Sequence, residues 1–203
     1  MDVLHLQAAL SRAGYDPGAQ DGIAGPRTWA ALFGYMARRD LGDRGAALGR
    51  GAAAHFVAYG IDSAMRVAHF VAQAAHETEG FLTLREIWGP TPAQRGYEGR
   101  ADLGNVKAGD GYLFRGRGIF QLTGRANYAR YGQKLGLDLV NHPELAEQPD
   151  IAVLTACAYW QEHGLSVLAD ADDVVAITRR INGGTNGLAE REALLVRAKA
   201  VLL

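Results

Sequence analysis

Glu77 is the side chain whose position in the sequence most directly suggests chemistry. Val67, Phe70, Val71 and Ala74 recur at helical spacing, and the next turn of this apolar stripe reaches Glu77. An ionisable side chain on the buried face of a helix is unusual. The sequence therefore predicts a partly buried glutamic acid in the last turn of a helix.

Two physical effects favour the protonated form of Glu77. Burial disfavours charge, and the end of the helix, predicted near Gly80, carries partial negative charge. A carboxylic acid that keeps its proton can protonate the leaving oxygen of a glycosidic bond. Alternatively, Glu77 points outward and only solvates a frayed helix end. A zinc site is excluded, because the HExxH pattern beginning at His76 has Gly80 in place of the second histidine.

The segment around Glu77 also carries a family resemblance. Residues 72–81, AQAAHETEGF, resemble the catalytic-helix motif of glycoside hydrolase family 19, which contains the plant-type chitinases and related phage endolysins. The resemblance implies that Glu77 is the general acid. The family usually has a small residue or glycine where Glu79 stands, and Glu79 is the less favoured candidate.

A second carboxylate is expected, because the resemblance implies an inverting reaction. In that reaction a general base activates water, and the two carboxyl groups lie roughly 6.5–9.5 Å apart. Glu86 stands where related endolysins place this residue, and we predict that it is the general base. Alternatively, Glu86 is a surface charge paired with a cation such as Arg85. Glu98 and Asp102, on the same long loop, are reserve candidates.

The glycine-rich block at residues 109–128 is the strongest signature. It lacks the GK[ST] ending of a phosphate loop, and a single RGRG in a chain of net charge −1 is poor support for RNA binding. The block resembles the GRGxxQLTGRxNY segment of family 19. The resemblance implies that Gln121 contacts sugar and that Thr123 helps to hold the nucleophilic water.

A third block lies near the C-terminus. By itself the sequence INGGTNGL at 181–188 is typical of a plain turn between helices. Following the other two blocks in order, it resembles the INGG segment of family 19. The resemblance implies that Asn182 binds an N-acetyl or hydroxyl group. Arg191, grouped with the substrate-binding residues, is expected to support the acid. The resemblance spans roughly 52–203.

The elements that must position these residues are predicted to be helices. No convincing period-2 strand is present, although 112–122 could hold a short irregular hairpin. The expected fold class is mainly α, with a lysozyme-like helical catalytic domain and a small N-terminal helical segment. Catalytic-domain helices are predicted near 52–60, 63–79, 126–136, 150–163, 172–181 and 188–202.

The N-terminal segment resembles the peptidoglycan-binding domain family. The matching residues are Leu6, Gln7, Leu10, Gly14, Tyr15, Pro17, Gly18, Asp21, Gly22, Gly25 and Thr28. Tyr15 and Trp29 could offer flat faces to sugars or peptide stems. Alternatively, the segment is a helical hairpin packed on the main domain with these aromatics in its core. The predicted organisation is a peptidoglycan-binding-like segment at 1–40, a Gly- and Arg-rich linker at 41–51 and the catalytic domain at 52–203.

Bulk properties restrict the function classes. With 203 residues and a net charge of −1, the chain has no global positive field to draw it onto nucleic acid or anionic lipid. The single cysteine, Cys157, allows no intrachain disulfide and is predicted to be a buried small hydrophobe. Neither a signal peptide nor a membrane span is predicted. The expectation is a monomer made in the cytoplasm that reaches the wall through a separate membrane pore.

Together, these patterns predict an endolysin-type glycosidase that cleaves β-1,4 bonds in the glycan strands of bacterial peptidoglycan. No metal or organic cofactor is implied. A chitinase acting on poly-N-acetylglucosamine is one alternative, and the N-terminal signature and the lack of plant-chitinase cysteines count against it. A non-catalytic wall-binding protein is the other. Joint retention of Glu77, Glu86, Gln121, Thr123 and Asn182 counts against that alternative.

Overall fold

The computed structural model describes all residues, 1–203, and its regular secondary structure is helical. Its α-helices are α1 (Val3–Arg12), α2 (Pro26–Ala37), α3 (Gly42–His55), α4 (Ala64–Glu77), α5 (Pro92–Arg95), α6 (Asp110–Leu113), α7 (Arg125–Leu135), α8 (Pro149–Glu162), α9 (Leu165–Asp170), α10 (Val174–Asn182) and α11 (Leu188–Leu202). Short 3-10 helices lie at Val57–Tyr59, Ala101–Leu103 and Pro143–Glu147. None of the helices is long and apolar enough to cross a bilayer. The predicted mainly α class is confirmed.

Helix α4 is the central element of the fold. Its N-terminus is capped by Ser63, whose hydroxyl accepts a hydrogen bond from the Arg66 backbone N–H at 3.2 Å. Every residue from 67 to 75 is buried, because α2, α9 and α11 all pack against this helix. A helix enclosed on all sides is a rigid support for a side chain at its end. The neighbouring helix α8 carries Cys157, which is fully buried as predicted.

The segment predicted as a linker is instead most of helix α3. Its glycines allow close contact with neighbouring helices and do not make the chain flexible. A Cβ at Gly49 would lie 2.2 Å from the Pro26 carbonyl oxygen, and a Cβ at Gly51 would lie 2.9 Å from that of Asp150. Because only glycine permits these approaches, α3 packs tightly between α2 and α8. The linker prediction at 41–51 is therefore corrected.

The N-terminal helices share one hydrophobic core with the remainder of the chain. A single buried cluster extends from Leu6 to Leu202. Within it, Trp29 is 3% exposed, and its ring meets Phe56 edge-on with centroids 5.1 Å apart. Phe56 in turn meets Phe70 of α4 at 5.0 Å. Trp29 therefore stabilises the core and cannot offer a face to sugar, which corrects that part of the prediction.

A small hydrogen-bonded hairpin stands within the predicted range 112–122. The backbone N–H of Arg117 donates to the Leu122 carbonyl at 3.1 Å, and the Leu122 N–H donates back at 2.8 Å. The first half of this hairpin also pairs with the loop after α4, because the Gly118 N–H donates to the Leu84 carbonyl at 2.9 Å. The glycine-rich block and the loop that carries Glu86 are thus held side by side.

His69 on α4 makes the stability of the fold sensitive to pH. Its side chain is fully buried, and Nε2 lies 2.8 Å from Asp172 Oδ1. Burial lowers the pKa of His69 below its ordinary value of 6.5, although Asp172 opposes the shift. The unfolded chain therefore binds this proton more readily than the folded chain, and the contribution to stability, complete above about pH 6.5, is lost as the pH falls.

We expect the free energy of unfolding to decrease on acidification below that point. The measurement is urea unfolding at pH 7.5 and pH 5.5 for the wild type and for His69→Gln. The variant should be less stable at pH 7.5 but should show a smaller difference between the two pH values. If the unfolding free energies of His69→Gln at the two pH values differed as much as those of the wild type, other groups would cause the pH dependence.

Candidate active site

Glu77 is the last residue of α4, and its side chain is 18% exposed. Its Oε1 accepts a hydrogen bond from Arg191 Nη2 at 2.5 Å. The partly buried position agrees with the helical phase in the sequence. The expectation that Arg191 supports Glu77 came from the family resemblance, and no local sequence pattern indicated this contact.

Arg191 lies at the start of α11 and is fully buried. Besides Glu77, its guanidinium donates to the side-chain oxygen of Gln73 and to the Asn186 carbonyl, the latter at 3.3 Å. A side chain without solvent exposure cannot contact a polysaccharide. The grouping of Arg191 with the substrate-binding residues is therefore wrong, and its contacts make it a positioning residue for the Glu77 carboxylate.

The C-terminal glycine-rich loop packs directly against the end of α4. Gly187 has φ +71°, and a Cβ there would lie 2.3 Å from His76 Cε1. His76 Nδ1 also lies 3.0 Å from Glu190 Oε2. This close approach fixes the loop next to Glu77 and explains the glycine. Asn182 is exposed at the C-terminal end of α10, where the same loop begins.

Glu86 lies on the loop after α4, and its carboxylate is held by uncharged donors. Oε1 accepts from Gln94 Nε2 at 3.0 Å and from the Tyr97 hydroxyl at 3.4 Å, and Oε2 accepts from the Gly116 N–H at 3.1 Å. Burial and the adjacent Glu86 charge raise the pKa of Tyr97, which keeps its phenol protonated as a donor. Without a cation bound to it, an ionised Glu86 can accept a proton from water.

Gly116 brings Glu86 together with two residues of the glycine-rich block. A Cβ at Gly116 would lie 2.4 Å from Gln121 Oε1 and 3.3 Å from Thr123 Oγ1. Gln121 has a positive φ of 49°, and its Nε2 donates to the Gly118 carbonyl at 3.0 Å. The Thr123 hydroxyl donates to the Gln121 carbonyl at 2.9 Å. Three of the predicted site residues therefore share one small region.

Tyr159 of α8 connects that region with the Glu77 side of the site. Its ring packs against Phe120, with centroids 5.5 Å apart, and its hydroxyl donates to the Arg180 carbonyl at 2.9 Å. Burial raises the pKa of Tyr159, and the Glu77 charge adds to the increase. Tyr159 thus contacts Phe120, the residue before Gln121, and Arg180, which is two residues before Asn182.

The comparison with family models decides the classification. The model described as class I chitinase, that of glycoside hydrolase family 19, matches residues 50–177. The chain belongs to glycoside hydrolase family 19. Membership makes it a glycosidase, and the matched range contains Glu77, Glu86, Gln121 and Thr123.

Relatives of this family 19 chain include bacterial and plant proteins. A glycosyl hydrolase family 19 domain-containing protein of Haemophilus influenzae is 36% identical over 154 residues, covering 63% of this chain and 75% of that protein. Chitinase 6 of Oryza sativa subsp. japonica is 34% identical over 124 residues, covering 60% of this chain and 44% of that protein. The chain spans less than half the length of the plant relatives it matches.

Solved structures show the same fold. Chitinase C from Streptomyces griseus superposes with a TM-score of 0.69 at 23% identity, covering 92% of this chain and 79% of that chain. A bacterial family 19 chitinase gives a TM-score of 0.66 at 23% identity, with 85% of this chain and 93% of that one covered. At this identity the likeness establishes the fold only.

The reserve carboxylates of the family 19 domain have structural partners. Glu98 accepts hydrogen bonds from the backbone N–H groups of Gly109 and Gly111, at 2.6 and 2.8 Å, and so fixes the loop before α6. Asp102 is exposed and forms an ion pair with Arg100 at 2.6 Å. Neither shares the contacts that join Glu86 to Gly116, and Glu86 remains the predicted base.

Several residues that hold this site were missed from the sequence. Gln73 and Asn186 hold Arg191, while Gln94 and Tyr97 hold Glu86. The capping-box pattern from Thr91 to Gln94 could have drawn attention to Gln94, because its side chain also accepts from the Thr91 N–H. The other three carry no local signal.

We expect Gly116→Ala to reduce kcat/KM about 10²-fold, because a misplacement of about 1 Å in a positioning group can cost that much. The new Cβ would displace Gln121 Oε1. The measurement is steady-state hydrolysis with circular dichroism to confirm folding. Gly25→Ala, where a Cβ meets nothing within 4 Å, is the control and should retain activity on a soluble oligosaccharide, which requires no wall binding. Full activity of Gly116→Ala would show that Gln121 need not occupy this position.

Proposed function

We propose that this family 19 glycosidase hydrolyses β-1,4 glycosidic bonds of bacterial peptidoglycan, as an endolysin-type enzyme, with inversion at the anomeric carbon. The observation that carries the reaction type is the pair of differently held carboxylates. Glu77 is bound to the buried Arg191, whereas Glu86 is bound only by uncharged donors.

The proposed reaction uses one proton transfer at each carboxyl group. Glu77 gives its proton to the glycosidic oxygen as the bond from that oxygen to the anomeric carbon breaks. Glu86 takes a proton from a water molecule, whose oxygen attacks the anomeric carbon from the opposite face. Gln121 and Asn182 are assigned to bind sugar, and Thr123 to hold the water. Glu86 then releases its proton to solvent and Glu77 takes one up, which restores both carboxyl groups.

The N-terminal helices support the choice of peptidoglycan. Gln7, in the segment that resembles peptidoglycan-binding domains, is buried and ties the glycine-rich turn together. Its Nε2 donates to Asp21, Ile23 and Thr28, and its Oε1 accepts from the Gly22 N–H at 3.0 Å. The ordered turn between α1 and α2 is the part of the motif that could meet the wall. We propose that residues 1–40 contribute to wall binding.

Chitin is the second candidate substrate. The family model is described as class I chitinase, and several relatives are named chitinases or endochitinases. Both polymers contain β-1,4-linked N-acetylhexosamines, so the same pair of carboxylates could act on either. The difference between them is the lactyl and peptide substituent that peptidoglycan carries on alternate sugars.

Digestion of the two polymers in parallel tests the proposal. Purified peptidoglycan and colloidal chitin are incubated with the wild type, and soluble products are reduced and analysed by mass spectrometry. Release of disaccharide-peptides supports the proposal, and the reduced sugar identifies the bond that was cut. Release of N-acetylglucosamine oligomers alone would establish a chitinase. Binding to wall without cleavage would establish a non-catalytic wall-binding protein.

A further inference from the structure

A cavity of about 590 Å³ opens beside the carboxylate of Glu86. Four segments that are distant in the chain contribute to it: the start of α3, the loop after α4, the residues around α6 and the end of the 3-10 helix Pro143–Glu147. The lining residues important here are Arg44, Arg85, Glu86, Trp88, Tyr112 and Arg115. The cavity therefore combines the predicted general base with three guanidinium groups and two aromatic rings.

Arg115 has fewer hydrogen-bond and charge partners than a buried arginine needs. It is 7% exposed, and its Nε is buried without a hydrogen-bond partner. Its Nη1 donates to the Tyr112 carbonyl at 2.8 Å, and its guanidinium lies 4.1 Å from the Tyr112 ring centroid. None of these contacts supplies negative charge. A buried guanidinium is normally paired with an anion, so this one is incomplete in the free protein.

The surrounding charges do not supply the missing anion. Glu147 is the nearby carboxylate, but it is shared by Arg117 at 2.8 Å and Arg85 at 3.3 Å. Burial lowers the pKa of Arg115 from its ordinary value, and the charges of Arg117 and Arg85 strengthen that effect. An anion in the cavity would offset this repulsion.

Arg44 adds a further positive charge at the rim. It projects from α3, and its Nη1 donates to the carbonyls of Phe81 and Leu82 in the loop after α4. These carbonyls orient the guanidinium but do not neutralise it. The lining thus holds three arginines against two glutamates, and one of those glutamates is already shared with Arg117.

The aromatic side chains indicate what kind of molecule would carry the anion. Trp88 is half-buried and Tyr112 is 52% exposed, with ring centroids 5.2 Å apart and the rings nearly perpendicular. Exposed aromatic faces suit the apolar faces of sugar rings. The cavity therefore suits a sugar whose substituent carries a carboxylate, as in peptidoglycan, better than it suits the uncharged sugars of chitin.

We infer that this cavity is a specificity subsite in which Arg115, Arg44 and Arg85 bind the carboxylates of the lactyl-peptide substituent on the muramic acid sugar. The inference rests on the proposed peptidoglycan activity and deepens it, since it names the group by which the enzyme distinguishes the two polymers. Arg115 forms the base of the subsite, and Arg44 and Arg85 complete it at the rim.

Binding to matched ligands tests the subsite. The Glu77→Gln protein, which should not cleave the ligand, is titrated calorimetrically with an N-acetylglucosaminyl-N-acetylmuramyl dipeptide. The same compound with its carboxylates converted to amides is titrated in parallel. We expect the carboxylate form to bind about tenfold more tightly, as charge-assisted hydrogen bonds predict, and the preference to decrease with added salt.

Two arginine variants and one control make the test specific. Arg115→Gln and Arg85→Gln, each in the Glu77→Gln background, should bind the two forms within about twofold of each other. Arg85 has a side chain that is 55% exposed, so its variant should fold even if Arg115→Gln does not. Arg50→Gln, exposed on the same helix as Arg44, should keep the full preference.

The outcomes separate this inference from the proposed function. A wild type that releases disaccharide-peptides from peptidoglycan, combined with equal binding of both ligands, would overturn the subsite alone. The subsite would also be overturned if Arg85→Gln and a folded Arg115→Gln still preferred the carboxylate ligand to the amide ligand. Cleavage of chitin only, with no binding of either muramyl ligand, would overturn both.

Discussion

Replacing Glu77 by glutamine is expected to reduce kcat by about 10³-fold, within the range that general acid catalysis contributes. Glutamine has nearly the same shape and retains an oxygen that can accept the hydrogen bond from Arg191, but it has no proton to give to the leaving oxygen. Substrate binding should therefore change little. The measurement is kcat and KM on whichever polymer the wild type digests, with thermal unfolding to confirm the fold.

Glu79→Gln is the matched control for this experiment. Glu79 is two residues further along the chain, is exposed and has the positive φ of 52° that places it outside α4. It was also the less favoured candidate for the acid. Its variant should keep wild-type activity. If Glu77→Gln kept more than a tenth of the wild-type kcat, or if Glu79→Gln were the inactive protein, the assignment of the acid would be incorrect.

Replacing Arg191 by methionine is expected to lower both stability and activity. The change leaves the Glu77 carboxylate and the Gln73 side-chain oxygen without their donor. Breaking a buried ion pair in this way costs about 3 kcal/mol of unfolding free energy, or roughly 6–12 °C in Tm for a chain of this size. Because Glu77 also loses its positioning contact, kcat should decrease about 10²-fold. Thermal unfolding and steady-state kinetics measure the two effects.

Arg197→Met separates the two effects of the Arg191 change. Arg197 is also on α11, and its guanidinium donates to the Tyr35 carbonyl at 2.7 and 3.0 Å and lies 4.0 Å from the Tyr35 ring centroid. This variant should lose stability but retain kcat. A double-mutant cycle gives a second check, since Arg191→Met should cost less stability when Glu77 is already glutamine. Additive losses would mean that the ion pair is not the source of the destabilisation.

The sequence by itself determined the helical position of Glu77 and the order of the motifs. The stripe of Val67, Phe70, Val71 and Ala74 placed Glu77 at the edge of the buried face, and the structure has it there, 18% exposed. Helical periodicity is a local property, so it can be read without knowing which elements pack together. The possible short hairpin within 112–122 is also a local feature, and the structure has a hydrogen-bonded pair there.

The tertiary structure decided which residues surround Glu77. Arg191 lies 114 positions after Glu77, and nothing in the local pattern of α11 indicated that this arginine would be fully buried. The sequence predicted a protonated Glu77 from burial and the helix end alone. An ion pair between distant segments is formed by packing, and local sequence patterns do not report it.

Glycine and aromatic residues also required the tertiary structure for their interpretation. Gly49 and Gly51 indicated a flexible linker, but they permit close packing of α3. Trp29 was a candidate sugar platform and is a core residue. The same residue type serves both roles, and the choice depends on what lies opposite it. Arg44 lies in the segment 41–51 that was predicted to be a linker. Because this segment is part of the packed helix α3, Arg44 reaches the cavity beside Glu86 and completes the proposed subsite.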